Sequence, residues 1–185
     1  MQGQRRHSDI FGFTLLELMT VMSIAAILLA IGVPSYRSVT TSNRIATEIN
    51  GLLGDMQFAR SEALKQGIPV TVCISTSGVD CTGTTHWHGG WIVFSDANGN
   101  TSVDGGDAVL RVAKPLTGGD TLESPAGLDA VAFNRAGFAL NLPNAGVALK
   151  LHDTTRTSIF TRCLAITMAG MVTTQTRASA PGTCL

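Results

Sequence analysis

Residues 13–33 read FTLLELMTVMSIAAILLAIGV, 21 consecutive positions that carry a single charge, Glu17. At about 1.5 Å per residue such a helix is roughly 31 Å long, enough to cross a bilayer core of about 30 Å. The stretch therefore spans a membrane or is buried as a span would be. The residues before it, MQGQRRHSDIFG, are polar and include Arg5 and Arg6. By the positive-inside rule these arginines hold the N-terminus in the cytoplasm, so that everything after residue 34 faces outward. A secretory signal has a different pattern, an apolar stretch of about 7 to 15 residues closed by a small-x-small cleavage site. Here a Gly-Phe junction precedes the apolar run and no such site follows it.

Working outward from this segment, the chain has 185 residues, of which 44% are apolar and 14% charged. That is room for one domain with an extension, too apolar for a disordered chain and too poor in charge for a coiled coil. Lys plus Arg and Asp plus Glu both number 13, which excludes nucleic-acid binding through bulk charge and leaves only a local patch.

Beyond the apolar run the helix continues. Ile45, Ile49, Leu52, Leu53, Met56, Ala59, Arg60 and Ala63 recur at helical spacing, with Arg44, Glu48, Asp55 and Glu62 between them, an amphipathic helix with one face to cover. Gly67 followed by Ile68-Pro69 is a stop signal, while Pro34, Gly51 and Gly54 are possible bends or weak points. From residue 68 the pattern changes to short β-rich runs: 70–74, 91–94, 108–112, 131–133, 147–151 and 163–168, separated by Gly, Asn, Asp and Pro clusters. The segments 76–90, 98–107 and 115–127 are expected to be surface loops. One long helix followed by antiparallel strands is an α+β arrangement, with the sheet laid on the outer half of the helix.

Gly12-Phe13-Thr14-Leu15-Leu16-Glu17-Leu18 resembles the cleavage and methylation motif of type IV pilins and type II secretion pseudopilins. Pro34, at the exit from the apolar run, resembles that family too. The resemblance implies that residues 1–12 are a leader removed by a prepilin peptidase after Gly12, and that the new N-terminal residue, Phe13, is methylated. It also implies a pilin-like fold: residues 13–67 as a long helix, transmembrane to about 33, packed on an antiparallel β-sheet domain at 68–185. A charge within a bilayer costs about 2.5 to 3.5 kcal/mol on insertion scales, so Glu17 is a liability in lipid alone. Paired with the free amine of Phe13 on a neighbouring subunit, inside a packed helical bundle, it becomes a register pin for assembly, as a buried polar residue fixes register in a coiled coil.

The outer part of the chain is similar to the GspH/FimT group of that family. The residues that carry this are Phe58-Ala59-Arg60-Ser61-Glu62-Ala63, the run Gly90-Trp91-Ile92-Val93-Phe94 to Asp96-Ala97-Asn98-Gly99-Asn100 and Asp104, and Val109-Leu110-Arg111. The implied function is a minor pilin that primes or caps a type IV pilus serving twitching, adhesion or DNA uptake; a minor pseudopilin of type II secretion is the alternative. The implied partners are the prepilin peptidase, the other minor pilins and the major pilin through the N-terminal helix. The implied location is the inner membrane, then the filament. A third reading is DNA capture in natural transformation, which some members of the group perform through a basic G-R-x-R stretch near the C-terminus. The corresponding stretch here is Gly170-Met171-Val172-Thr173, without either arginine, so DNA contact falls to Arg162 and Arg177, with Arg156 and Lys150 nearby in sequence.

Four cysteines beyond the membrane point to an oxidising compartment and two disulfides. Three pairings are possible; Cys73 with Cys81 and Cys163 with Cys184 is preferred because each loop is local. Without any C-x-x-C, a zinc site is the weaker explanation. Residues 96–107 resemble a calcium loop, with Asp96, Asn98, Asn100, Asp104 and Asp107 at its oxygen-bearing places, but Thr101 replaces the turn glycine and a solvated turn is the commoner outcome of such composition. His86-Trp87-His88 offers two histidines to a metal, or is a polar loop beside an aromatic anchor. No P-loop, nucleophile elbow, dinucleotide fingerprint or H-E-x-x-H is present, and neither catalysis nor a cofactor is expected.

Overall fold

The computed structural model describes residues 12–124, 127–143, 146–176, 179 and 184. Helix α1 occupies Leu15–Gln66 and contains Pro34. It begins two residues after Phe13 because Thr14 is its cap: the Thr14 hydroxyl accepts the Glu17 N–H at 3.2 Å, which satisfies one of the donors left open at a helix start. It ends where Gly67, at φ +72°, donates its N–H to the Ala63 carbonyl at 3.0 Å, the left-handed turn that glycine makes without strain.

The chain divides into two compact units at Thr40 and Thr41. In the first, the apolar side chains of α1 are exposed, Leu15 at 77% and Ile31 at 70%. This part is long and apolar enough to cross a membrane.

In the second unit α1 buries Ile45, Ile49, Leu52, Met56, Ala59 and Ala63, a stripe at alternating steps of four and three. Nine strands accompany it: β1 Val70–Ile74, β2 Trp91–Ser95, β3 Ala108–Ala113, β4 Thr121–Glu123, β5 Ala130–Phe133, β6 Ala139–Leu140, β7 Gly146–His152, β8 Arg162–Thr167 and β9 Val172–Thr176. Instead of the expected single sheet they make two, in the orders β3-β2-β1-β5-β6 and β4-β7-β8-β9. Every strand pairing in them is antiparallel. The helix stripe, Val70, Val72 and Ile74 of β1, Val131 and Phe133 of β5, Leu149 and Leu151 of β7 and Leu164 and Ile166 of β8 belong to one core cluster. Strand β1 is buried along its whole length, because its other face, through Cys73, joins Ile92, Phe94 and Ala130 in a second cluster that Cys81 and Val103 cover from the loops.

Strands β4, β6 and β9 are additions to the expected set. Strand β4 interrupts the segment expected as loop 115–127, with Leu122 as its one buried residue. Strand β9, VTTQT, buries only Val172 and lies at the edge of its sheet. It therefore lacks the alternation of apolar residues that marks a strand in sequence.

Candidate functional site

Glu17 occupies the third helical position of α1, three residues after the Thr14 cap. The T-x-x-E spacing is that of a capping box, and a carboxylate in the first turn is favoured by the helix dipole. None of the ion pairs among the described residues includes Glu17. With Phe13, Leu18, Val21 and Met22 it lines a groove whose exposed surface is apolar, so the acid sits within oily surroundings next to the residue that precedes the cap.

The basic residues considered for DNA do not converge. On β7, Val147, Leu149 and Leu151 are buried and Lys150 alternates to the opposite face. Arg162 stands directly across from Leu151, and Lys150 across from Cys163. Arg162 therefore takes the core side of the sheet and Lys150 the outer side. Arg162 donates to the Ile159 and Thr161 carbonyls at 3.3 and 3.2 Å and lines a groove with Ala46, Ile49 and Asn50 of α1 and Thr174 and Thr176 of β9. Arg156 is paired with Glu123 at 2.7 Å, and Lys150 stands across from that same glutamate. Arg177 lies outside the described residues. Among the described residues, Lys150 and Arg162 are thus divided between two faces of a sheet, and Arg156 is neutralised by Glu123. Met171 is exposed, and Thr173, two residues on along the edge strand, is exposed as well.

The 96–107 loop is a turn that bonds its own oxygens, as its composition of Asn, Asp and Gly favours. The Asp96 carboxylate is fully buried and accepts the Thr71 hydroxyl at 2.8 Å, the Asn100 N–H at 3.0 Å and the Thr101 N–H at 2.9 Å. Asp104 accepts the side-chain amides of Asn98 and Asn100 at 2.7 and 2.9 Å, and these bonds, Asn98's first, hold its carboxyl below the usual carboxylate range. Asp107 accepts the N–H groups of Ala97 and Asp104. The oxygens that would face a cation face the loop's own donors, and among the described residues no three His, Cys, Asp or Glu side chains are gathered for a metal. Cys73 is bonded to Cys81 and Cys163 to Cys184.

The charged residues on the flanks of the α1 stripe, which helical spacing alone marks as solvated, instead tie the loops to the helix. Arg44 makes two bonds of 2.7 Å to the buried Asp120, and Gly118 carries no side chain where the Arg44 guanidinium passes. One turn on, Glu48 accepts the Thr117 N–H and hydroxyl, both at 2.9 Å, while its Oε2 is buried without a partner. Asp55 accepts the Trp91 indole N–H at 2.9 Å and pairs with Arg111 at 3.0 Å, and Arg111 lies 3.6 Å over the Phe58 ring. Arg60 donates to the Gly137 carbonyl at 2.9 Å and to that of Ala169 at 3.3 Å, linking the turn after β5 with the β8–β9 hairpin.

A long N-terminal helix that is apolar in its first part, capped at T-x-x-E after a Gly-Phe junction and carrying antiparallel sheets on its second part, defines a pilin-type subunit. Residues 48–170 match the family described as Type II transport protein GspH, and residues 8–33 match the prokaryotic N-terminal methylation motif. The chain belongs to the GspH family. Its fold is also that of the type IV minor pilin FimU of Pseudomonas aeruginosa in two crystal forms. One is 19% identical with a TM-score of 0.59 over 81% of this chain and 99% of FimU; the other is 21% identical with a TM-score of 0.55 over 76% and 98%. The protein is a minor pilin or pseudopilin of the type IV and type II systems.

Proposed function

We propose that this chain is a minor pilin of a type IV pilus that primes or caps filament assembly. The observation that carries the reading is the conjunction of the GFTLLE junction with a capped, exposed apolar helix on a pilin fold. In this reading a prepilin peptidase removes residues 1–12 and methylates Phe13. The precursor waits in the inner membrane with its N-terminus in the cytoplasm. The apolar part of α1, to about residue 33, then moves from lipid into the filament core among other pilins, where Glu17 meets the Phe13 amine of a neighbour, and the domain from 68 onward lies at the filament surface. A second reading, a minor pseudopilin of type II secretion, is favoured by the description of the family that the chain matches.

Mass spectrometry of the membrane and sheared fractions tests the processing: the expected mature chain starts at methylated Phe13. An intact N-terminus, or a cut after Ala30, overturns the pilin reading. Deletion of the gene with parallel assays of twitching, DNA uptake and protein secretion separates the two apparatus, since loss of twitching with normal secretion is expected for the pilus subunit and the reverse for the pseudopilin.

A further inference from the structure

Trp87 is fully buried and donates its indole N–H to the Leu128 carbonyl at 2.8 Å, which pins the 3-10 turn Trp87–Gly89. His86 and His88 flank this anchor with ring centroids 5.4 Å apart. Two imidazoles on one tetrahedral dication, with metal–nitrogen bonds of about 2.0 to 2.1 Å, place their ring centres roughly 5.2 Å apart. The turn therefore holds the pair near the spacing that a shared ion requires. His86 is bridged antiparallel to Glu123, and residues so paired project side chains to one side with Cβ atoms about 4.5 to 5.5 Å apart. His86, His88, Thr121, Glu123 and Arg156 line one cavity of about 370 Å³. Of the three buried side-chain atoms without a hydrogen-bond partner among the described residues, two, His88 Nδ1 and Thr121 Oγ1, belong to residues lining it. Orphaned atoms of this kind mark the place of a missing partner.

We propose that this cavity is a site for a borderline transition-metal dication of the zinc or copper(II) class, with the His86 and His88 imidazoles as two ligands and the Glu123 carboxylate as the third. The lone pair of His88 Nδ1 meets the ion, and a water on the ion supplies the bond that Thr121 Oγ1 lacks. Imidazole with carboxylate suits these ions and not calcium or magnesium. Glu123 is now held by Arg156 in an ion pair exposed on both sides. Such pairs are weak, so a change of rotamer delivers the carboxylate, and before that change the three groups are not gathered at coordinating distance. The proposal is independent of the filament reading.

The test is titration of the detergent-solubilised full chain, in a His7→Ala background, with Zn²⁺ and with Cu²⁺, followed by calorimetry and, for copper, by electron paramagnetic resonance. One ion per chain with hyperfine coupling to two nitrogens is expected. His86→Ala and His88→Ala should each weaken binding at least about tenfold and Glu123→Gln severalfold. His86 is exposed, so its variant decides the matter if His88→Ala fails to fold. No saturable binding below about 0.1 mM, binding that survives the double substitution, or equal affinity for Ca²⁺ overturns the proposal.

Discussion

Glu17 has two physical explanations that a single substitution leaves entangled, because the first helical turn wants an acid there and a filament partner wants the same charge. Glutamine at this position keeps the capping-box geometry and loses the charge. Glu17→Ala and Glu17→Gln should both insert into the membrane as well as the wild type or better, since each removes a costly charge from the apolar run. If the carboxylate pairs with an amine, both should be depleted from purified filaments. Normal incorporation of Glu17→Gln would assign the residue to capping alone. Glu48 poses a different residue-scale question. Burial pushes its carboxyl above the usual carboxylate range, the bonds from Thr117 pull it down, and the neighbouring Asp120 raises it again. The net rise means that the folded chain holds this proton more tightly than the unfolded one, so the associated stability is present in full below the ordinary carboxylate range and is lost as pH rises through the raised value. Glu48→Gln should flatten that decline in melting temperature as pH rises above the ordinary carboxylate range, because an amide has no proton to lose. An unchanged slope would show that the proton resides elsewhere.

At the scale of elements, the β8–β9 hairpin is held against the turn after β5 by packing that admits no side chain. A Cβ on Gly170 would overlap the Gly137 carbonyl oxygen, and Gly170 has φ +73°. Gly170→Ala should therefore cost about 3 kcal/mol or more, from overlap and strained backbone together. Arg60→Ala, which removes two carbonyl partners of a guanidinium that is only part-buried, should cost about 1 to 2 kcal/mol. Equal losses by chemical denaturation would mean that the arginine and not the close approach holds the hairpin. These links also show what the sequence leaves hidden. The stripe from Ile45 to Ala63 and strands β1, β2, β3, β5, β7 and β8 are legible because each repeats its apolar residues within a few positions. Strand β9 is not, since an edge strand with one buried residue resembles a polar loop, and two-residue β6 is too short to show a period. The division into two sheets depends on pairings such as β1 with β5, and the bond from Arg44 to Asp120 joins residues 76 apart. Neither leaves a local signal.

For the whole molecule, the two disulfides and the charge distribution set the remaining expectations. Cys73–Cys81 lies over the smaller cluster and Cys163–Cys184 fastens residue 184 to β8. Reduction should lower stability by about 2 to 5 kcal/mol, some 5 to 15 °C in melting temperature for a chain of this size, and equal melting of reduced and oxidised protein would refute that. DNA binding depends on charge collected on one surface. The formal net charge is zero, Lys150 and Arg162 are on opposite faces of one sheet, and Glu123 already occupies Arg156. Duplex affinity at about 0.15 M salt should accordingly be weak and fall steeply with added salt. Met171 and Thr173 are two residues apart at the exposed edge strand, so Met171→Arg with Thr173→Arg would place two guanidinium groups side by side. A gel-shift titration of the doubly substituted chain should show binding that the wild type lacks, with log K against log salt steeper by about 1.8 for two added phosphate contacts. Tight wild-type binding that persists in Arg162→Ala and Arg177→Ala would locate the DNA surface elsewhere, because Lys150 faces away from Arg162 across the sheet and Arg156 is already paired with Glu123.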